Sequence, residues 1–114
     1  MSSVFELGYR YLIPSLKRRL TEIMNKELRM SEVEIARELK ITPSSVSRYL
    51  RGERGAAIEI ATYTDINEEL IKLAKDLSKQ DLDLQTIEIR LLKITIQVMS
   101  KNTYAGSTTN YNHQ

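Results

Sequence analysis

The chain has 114 residues, of which 41% are hydrophobic and 28% charged, enough for one compact domain with a modest core. It contains no cysteine, which excludes disulfides and thiolate metal sites. No apolar run reaches the roughly 18 residues of a membrane span, and no basic start precedes an apolar stretch, so we expect a cytoplasmic protein. Residues 1–55 hold 11 Lys and Arg against 7 Asp and Glu, whereas residues 56–114 hold 6 against 8. The basic excess of the N-terminal half favours a polyanionic partner.

A helix is predicted over residues 4–28, where apolar residues such as Leu16 and Leu20 recur on one side. Pro14 disfavours a helical residue before it and removes one backbone hydrogen bond. We therefore expect a break or kink near residues 12–14 and a main helix from there to about residue 28. Residues 17–19 are all basic, and we interpret them as a solvated helix face, with contact to a phosphate strand as the alternative.

Residues 31–55 read SEVEIARELKITPSSVSRYLRGERG and predict two short helices joined by a tight turn. Ser31 can cap the first helix, and Glu34, three residues on, can return the hydrogen bond in the capping-box pattern. The first helix is therefore expected to run from about Glu32 to Leu39.

The second helix of this stretch has its own start and stop signals. Thr42 can cap it, Pro43 needs no amide partner at the first helical position, and Gly52 ends it. Only Lys40 and Ile41 remain for the turn, so the two helices must cross steeply. The residues expected to line their shared apolar seam, with the small Ala36 at the crossing, are Ile35, Leu39, Ile41, Val46, Tyr49 and Leu50.

This stretch, about a fifth of the chain, resembles the helix-turn-helix of the Cro/repressor-like (XRE-type) transcriptional regulators. Ala36 in the first helix, Ile41 just after the turn, and Val46 and Tyr49 in the second helix fit that pattern. The phrase SSVSRYLRGERG is similar to small archaeal regulators, including the DNA-binding domain fused to some archaeal thiamine-phosphate synthases. Lys40 departs from the pattern, because such motifs usually carry glycine there. Either Lys40 takes a left-handed conformation, at a cost of about 1 kcal/mol, or the turn is built differently.

The resemblance implies that the second helix enters the major groove of DNA. The residues it implies for reading base edges are Pro43, Ser44, Ser47 and Arg48. Those more suited to holding phosphates, aided by amides at the helix start, are Thr42, Ser45, Arg51 and Arg54. The alternative is a plain helical hairpin buried in a core. The outer face of the second helix argues against it, because that face has nothing apolar to bury.

Beyond the motif, in residues 55–63, Ile58 and Ile60 alternate with Glu59 and Ala61, which predicts an extended connector or a short edge strand. Asp65 is expected to begin a new helix, with Glu68 as its capping-box partner, that ends near Lys79. The core face predicted for this helix comprises Ile66, Leu70, Ile71, Leu73, Ala74 and Leu77.

A C-terminal helix is predicted over residues 83–100, with two apolar stripes. The first stripe comprises Leu84, Ile87, Leu91, Ile94 and Val98, and the second comprises Ile89, Leu92, Ile96 and Met99. A helix with two stripes needs two partners, and we assign the first stripe to the interface of a twofold homodimer. Two alternatives stay open: both stripes are buried within the monomer, or the alternation over residues 87–98 forms a strand. The polar residues 101–114 are expected to be a flexible tail.

No catalytic constellation is found, because the only histidine is His113 in the tail and the four glycines are scattered. We expect no enzyme activity, no cofactor and no metal, and no small-molecule effector within this chain. The prediction is an all-α protein of about five helices that binds double-stranded DNA as a homodimeric, nucleoid-associated repressor. Two alternative functions remain: a helix-turn-helix module for protein contacts, such as an antitoxin or adaptor, and a non-specific chromatin-binding protein.

Overall fold

The structure is a computed structural model that describes residue 6 and residues 8–112, with side chains described for residue 6 and residues 10–100. All regular structure in these residues is helical, which confirms the all-α prediction. The five α-helices are α1 (Ile13–Glu22), α2 (Glu32–Leu39), α3 (Pro43–Leu50), α4 (Thr64–Lys79) and α5 (Leu84–Asn112).

Where the sequence predicts a break near Pro14, the structure shows a change from π-helical to α-helical hydrogen bonding. A π-helical turn, Gly8–Leu12, leads directly into α1, and a second, Ile23–Glu27, follows it. Pro14 lies in the first turn of α1 and has no amide to donate to the π-helical turn before it. The chain therefore stays helical on both sides of the proline, while the hydrogen-bond spacing changes. The start predicted at residue 4 lies outside the described residues.

The caps and the turn predicted for α2 are confirmed. The Ser31 hydroxyl accepts a hydrogen bond from the Glu34 amide at 3.1 Å, and the Glu34 carboxylate accepts one from the Ser31 amide at 2.9 Å. Lys40 adopts the left-handed conformation, with φ 60° and ψ 39°. This conformation lets the Ile41 amide donate to the Ala36 carbonyl at 3.0 Å, which satisfies a carbonyl at the end of the helix.

The caps of α3 are also as predicted. The Thr42 hydroxyl accepts from the Ser45 amide at 3.1 Å, and Gly52 has the left-handed φ of 74° that ends the helix. The seam residues Ile35, Ala36, Leu39, Val46 and Tyr49 are buried, whereas Ile41 and Leu50 are half-buried. The connector that follows contains a short 3₁₀ turn, Ile60–Thr62, and no strand is formed in it.

The cap predicted for α4 is wrong. The N-cap is Tyr63, two residues before the predicted Asp65, and its carbonyl accepts the first helical hydrogen bond, from the Asn67 amide at 2.8 Å. Asp65 therefore lies inside the first turn, where its carboxylate accepts from the next amide along the chain, that of Ile66, at 3.2 Å. The predicted core face is confirmed for Ile66, Leu70, Leu73, Ala74 and Leu77, which are buried, while Ile71 is half-buried.

Residues 87–98 form part of α5, so the strand alternative is excluded. The assignment of the first stripe to a dimer interface needs correction. Ile87, Leu91, Ile94 and Val98 are at most 7% exposed and belong to the core of the chain itself, leaving only Leu84 exposed. Side chains already buried within the monomer are not available to a second copy. Three residues of the second stripe face outward instead, with Ile89, Leu92 and Ile96 between 41% and 46% exposed, whereas Met99 is half-buried and packs against the core.

The backbone of α5 continues to Asn112, beyond the end that was predicted at residue 100. Helix propagation adds one hydrogen bond for each residue fixed, so polar residues can extend a helix that packing has already nucleated. The side chains of residues 101–112, together with His113 and Gln114, lie outside the described part.

Helix α1 lies at the centre of the fold and contacts α3, α4 and α5. The basic residues on it are less solvated than expected. Arg18 and Arg19 are half-buried and pair with Glu22 at 3.5 and 3.6 Å. Arg19 also donates to the Asn67 side chain on α4 at 2.7 Å. These two arginines therefore join elements of the fold.

Candidate nucleic-acid interface

The outward side of α3 forms one wall of an open, polar groove. We call this surface the α3 face. Its residues are Glu32, Pro43, Ser44, Ser47, Arg48 and Arg51. The four residues predicted to read base edges all lie on it, so the fold brings them together on one surface.

The predicted base-reading side chains are accessible. Pro43, Ser44 and Arg48 are exposed, and Ser47 is half-buried. Among the described residues, the Arg48 guanidinium forms no hydrogen bond or ion pair. Small side chains at the start of α3 leave room for close approach, and a free arginine one turn later can donate two parallel hydrogen bonds to the O6 and N7 atoms of guanine.

The residues predicted to hold phosphates are hydrogen-bonded to one another. The Thr42 hydroxyl donates to the Ser45 hydroxyl at 3.0 Å, and Arg54 Nη1 donates to the same Ser45 oxygen at 3.2 Å. The guanidinium carbon of Arg54 lies 5.8 Å from the centre of the Tyr49 ring, within cation–π range. Arg54 is thus held against the end of α3 by two contacts while remaining exposed.

Arg51 is paired with a carboxylate. Its Nε donates to Glu53, and its Nη1 donates to the Ser47 hydroxyl at 3.0 Å. The hydrogen bond and charge of Glu53, with a smaller contribution from Glu32, raise the pKa of Arg51. The hydrogen bond from Arg51, followed by its charge and that of Arg48, lowers the pKa of Glu53.

Sequence reasoning missed the one acidic residue of the α3 face, Glu32, and the carboxylate that pairs with Arg51, Glu53. Glu32 is the first residue of α2 and lines the groove, although on the sequence it belongs to an ordinary charged helix face. Glu53 lies between two arginines in the phrase RGER, and that alternation is the signal that could have identified it as a counter-ion.

Buried residues on the opposite side of α3 hold the α3 face outward. Val46 is fully buried and Tyr49 is 6% exposed. Burial raises the pKa of the Tyr49 phenol, and the nearby Arg54 charge opposes part of that rise. After α3, the chain passes so close to α1 that a Cβ at Gly55 would lie 2.3 Å from the Pro14 carbonyl oxygen. The orientation of α3 is therefore fixed from both sides.

No helix within the described residues is long and apolar enough to cross a membrane. The same part of the chain contains no group of three or more His, Cys, Asp or Glu that could hold a metal ion. No protein-family model, curated protein or solved structure matches the chain.

Proposed function

We propose that the chain is a sequence-specific regulator of transcription, a repressor of the XRE type, which binds double-stranded DNA as a homodimer. The observation that carries this proposal is the α3 face. It combines the exposed Ser44 and the half-buried Ser47 with Arg48, which forms no hydrogen bond or ion pair among the described residues, on a helix whose opposite side is buried. An ordinary solvated helix would need no such close grouping of hydroxyls and arginines.

In the proposed mechanism, α3 enters the major groove and Arg48 donates to a guanine edge, with Ser44 and Ser47 beside it. Arg51 and Arg54 exchange their internal partners, Glu53 and Ser45, for phosphate oxygens. The exchange replaces one set of charge-assisted hydrogen bonds by another, so these two arginines set register and orientation more than sequence preference.

A homodimer enters the proposal because one α3 face presents few base contacts. Two copies would read a palindrome whose half-sites lie about 34 Å apart, one turn of the duplex. Doubling the contacts supplies the discrimination that a single short helix lacks.

Selection of bound sequences from a random DNA pool, followed by binding titrations, tests the proposal. We expect a palindromic consensus that the protein prefers over random DNA by at least about a thousandfold. Equal affinity for both would indicate a non-specific chromatin protein. The absence of any DNA binding at low salt would reject the function and favour a module for protein contacts.

Arg48→Ala tests which residue reads sequence. We expect a loss of about 1 to 3 kcal/mol on the selected site, about 5- to 150-fold in Kd, with relaxed preference at one base position. Lys75→Ala is the matched control, because it removes an exposed positive charge on α4 that does not line the groove. If Arg48→Ala behaves like this control, the base-reading assignment is wrong.

Arg54→Ala tests the phosphate assignment. It should weaken binding to all sequences alike and reduce the slope of log K against log salt by about 1. Because Arg54 also contacts Tyr49 and Ser45, the free energy of unfolding is measured in parallel. A change in the preferred sequence would contradict the assignment.

A further inference from the structure

The second stripe of α5 is an apolar surface that the fold leaves open. Ile89 is 45% exposed, Leu92 41% and Ile96 46%. They are three of only seven large hydrophobic side chains that are exposed among the described residues, and all three lie on one helix. Such a grouping favours an interaction surface over scattered surface residues.

The spacing of this stripe is that of a coiled-coil seam. With the exposed Gln85 added at its start and the half-buried Met99 at its end, the stripe recurs at alternating intervals of four and three residues: Gln85, Ile89, Leu92, Ile96 and Met99. At about 100° per residue, the centre of this stripe lies roughly opposite the buried side of α5. The helix is therefore able to pack on its own domain with one side and on a second helix with the other.

Two charged residues flank the second stripe, one on each side. Glu88 precedes the seam position at Ile89, and Lys93 follows the seam position at Leu92. Both are exposed, and within the described part of the chain neither forms a hydrogen bond or ion pair. They are separated by five residues, the interval at which flanking charges of two parallel helices meet across a coiled coil.

We infer that the second stripe is the interface of a parallel homodimer, in which Glu88 of one protomer pairs with the partner's Lys93 and the reverse pair forms by symmetry. An antiparallel pair centred on Leu92 would bring the two Lys93 side chains together instead. The two charges are complementary to those of a second copy of this chain, so a second copy is the partner that they favour. They also favour parallel over antiparallel α5 helices.

The parallel direction suits the proposed function, although the inference does not depend on it. The start of α5 lies beside the helix-turn-helix, where Leu84 and Ile87 line the same apolar cleft as Leu39 and Ile41. Parallel α5 helices therefore place both motifs at the same end of the dimer, where one duplex can meet both.

The dimer is tested without DNA, so its failure is distinguishable from failure of the DNA-binding proposal. Sedimentation of the full chain over a hundredfold concentration range should show a reversible monomer–dimer equilibrium. Leu92→Lys should shift the chain to monomer at every concentration while keeping its helical circular dichroism. Gln97→Lys is the control, because residue 97 is exposed but lies off the stripe. A wild-type chain that stays monomeric, or equal association of both variants, overturns the inference.

Charge exchange tests the direction. Glu88→Lys and Lys93→Glu should each weaken self-association at least fivefold, since like charges then meet across the seam. An equimolar mixture of the two variants, and the double variant, should both recover the wild-type dissociation constant. These exposed substitutions leave the core intact. Failure of the mixture to recover association, with both single variants folded, overturns the parallel arrangement.

Crosslinking gives an independent measure of direction, because the chain has no natural cysteine. Gln85→Cys should form a disulfide-linked dimer readily in air, since identical seam positions lie opposite each other in parallel helices. A mixture in which Gln85→Cys crosslinks only with Met99→Cys would show antiparallel helices and overturn the inference.

Discussion

The three arginines along and after α3 differ in what their guanidinium groups contact. Among the described residues, Arg48 forms no hydrogen bond or ion pair, Arg51 is bonded to Glu53 and Ser47, and Arg54 is bonded to Ser45 and stacked on Tyr49. The sequence placed all three on one side of the motif. It did not indicate which was free, because that depends on the position of a carboxylate beyond the helix end.

A prediction at this scale concerns Glu53. Glu53→Gln removes the charge that holds Arg51 and that repels phosphate. We expect affinity for all DNA sequences to rise about two- to fivefold at low salt, with a steeper salt dependence. Titrations by fluorescence anisotropy measure the affinity and its salt dependence. Glu68→Gln, which removes an exposed carboxylate on α4, is the control. Unchanged affinity would show that Arg51 does not reach phosphate.

At Lys40 the sequence limited the possible backbone conformations but did not reveal the partner of the side chain. The sequence indicated that this lysine either adopts the left-handed conformation or belongs to a different turn. The structure shows the left-handed conformation, and the Lys40 side chain pairs with Asp81 in the linker before α5. The ion pair joins residues 41 positions apart, so local sequence patterns could not reveal it.

At the level of the helices, the sequence predicted two of the three N-terminal caps correctly. The Ser31–Glu34 box and the Thr42 cap are confirmed. The capping box at Asp65 is wrong, because packing lets α4 begin at a residue without a capping side chain. At the start of α4, therefore, the local capping-box pattern of Asp65 and Glu68 did not decide where the helix begins.

The capping box of Ser31 and Glu34 predicts that the stability of the fold depends on pH. The pKa of Glu34 is lowered, first by the hydrogen bond from the Ser31 amide and then by the Ser31 hydroxyl. A carboxylate with a folded-state pKa below its unfolded value stabilises the fold above that value, about 4.5, and loses this contribution as pH falls through the folded-state pKa. The stability difference between wild type and Glu34→Gln should therefore be largest at neutral pH and vanish in acid.

Urea unfolding from pH 7 down to about pH 3 measures this difference. The hydrogen bond from Thr86 lowers the pKa of Asp83 as well, so Asp83 also makes stability depend on pH. Subtracting the free energy of unfolding of Glu34→Gln from that of the wild type at each pH removes this shared contribution. A Glu34→Gln penalty that stays constant with pH would contradict the electrostatic origin of the cap.

The two stripes of α5 could be found on the sequence but not assigned. Both are aliphatic, both have helical spacing, and both are equally suited to burial. The first stripe, Leu84 excepted, became core because α5 folds back on α1 and α4, an arrangement set by the chain as a whole. The predicted interface residues therefore belong to the core, and the second stripe became the exposed surface.

Across the whole molecule, the motif depends on docking to α1. Gly55 lies against Pro14 and Arg18, and the Ile58 amide donates to the Ser15 hydroxyl at 3.2 Å. Ser15 is 1% exposed and also donates to the Tyr11 carbonyl at 2.9 Å. This contact region fixes where α3 points.

Two glycines with the same φ of 74° allow this docking to be tested. Gly55→Ala would place a Cβ 2.3 Å from a backbone oxygen, so we expect a loss of about 2 to 4 kcal/mol in the free energy of unfolding. Gly52→Ala meets nothing closer than 3.9 Å and should cost only about 1 kcal/mol, from its left-handed backbone alone. Equal losses would show that close contact with α1 is not what requires Gly55.

The sequence by itself determined the helical class, the caps of α2 and α3 and the position of the turn between them, and the polar and basic residues that share the α3 face. These features depend on side chains within a few positions of one another, and local chemistry decides them. Only the tertiary structure decided the start of α4, the burial of the first stripe, the pairing of Lys40 with Asp81 and the close contact at Gly55. Each of these depends on segments distant in the chain, whose approach is set by the packing of the whole core.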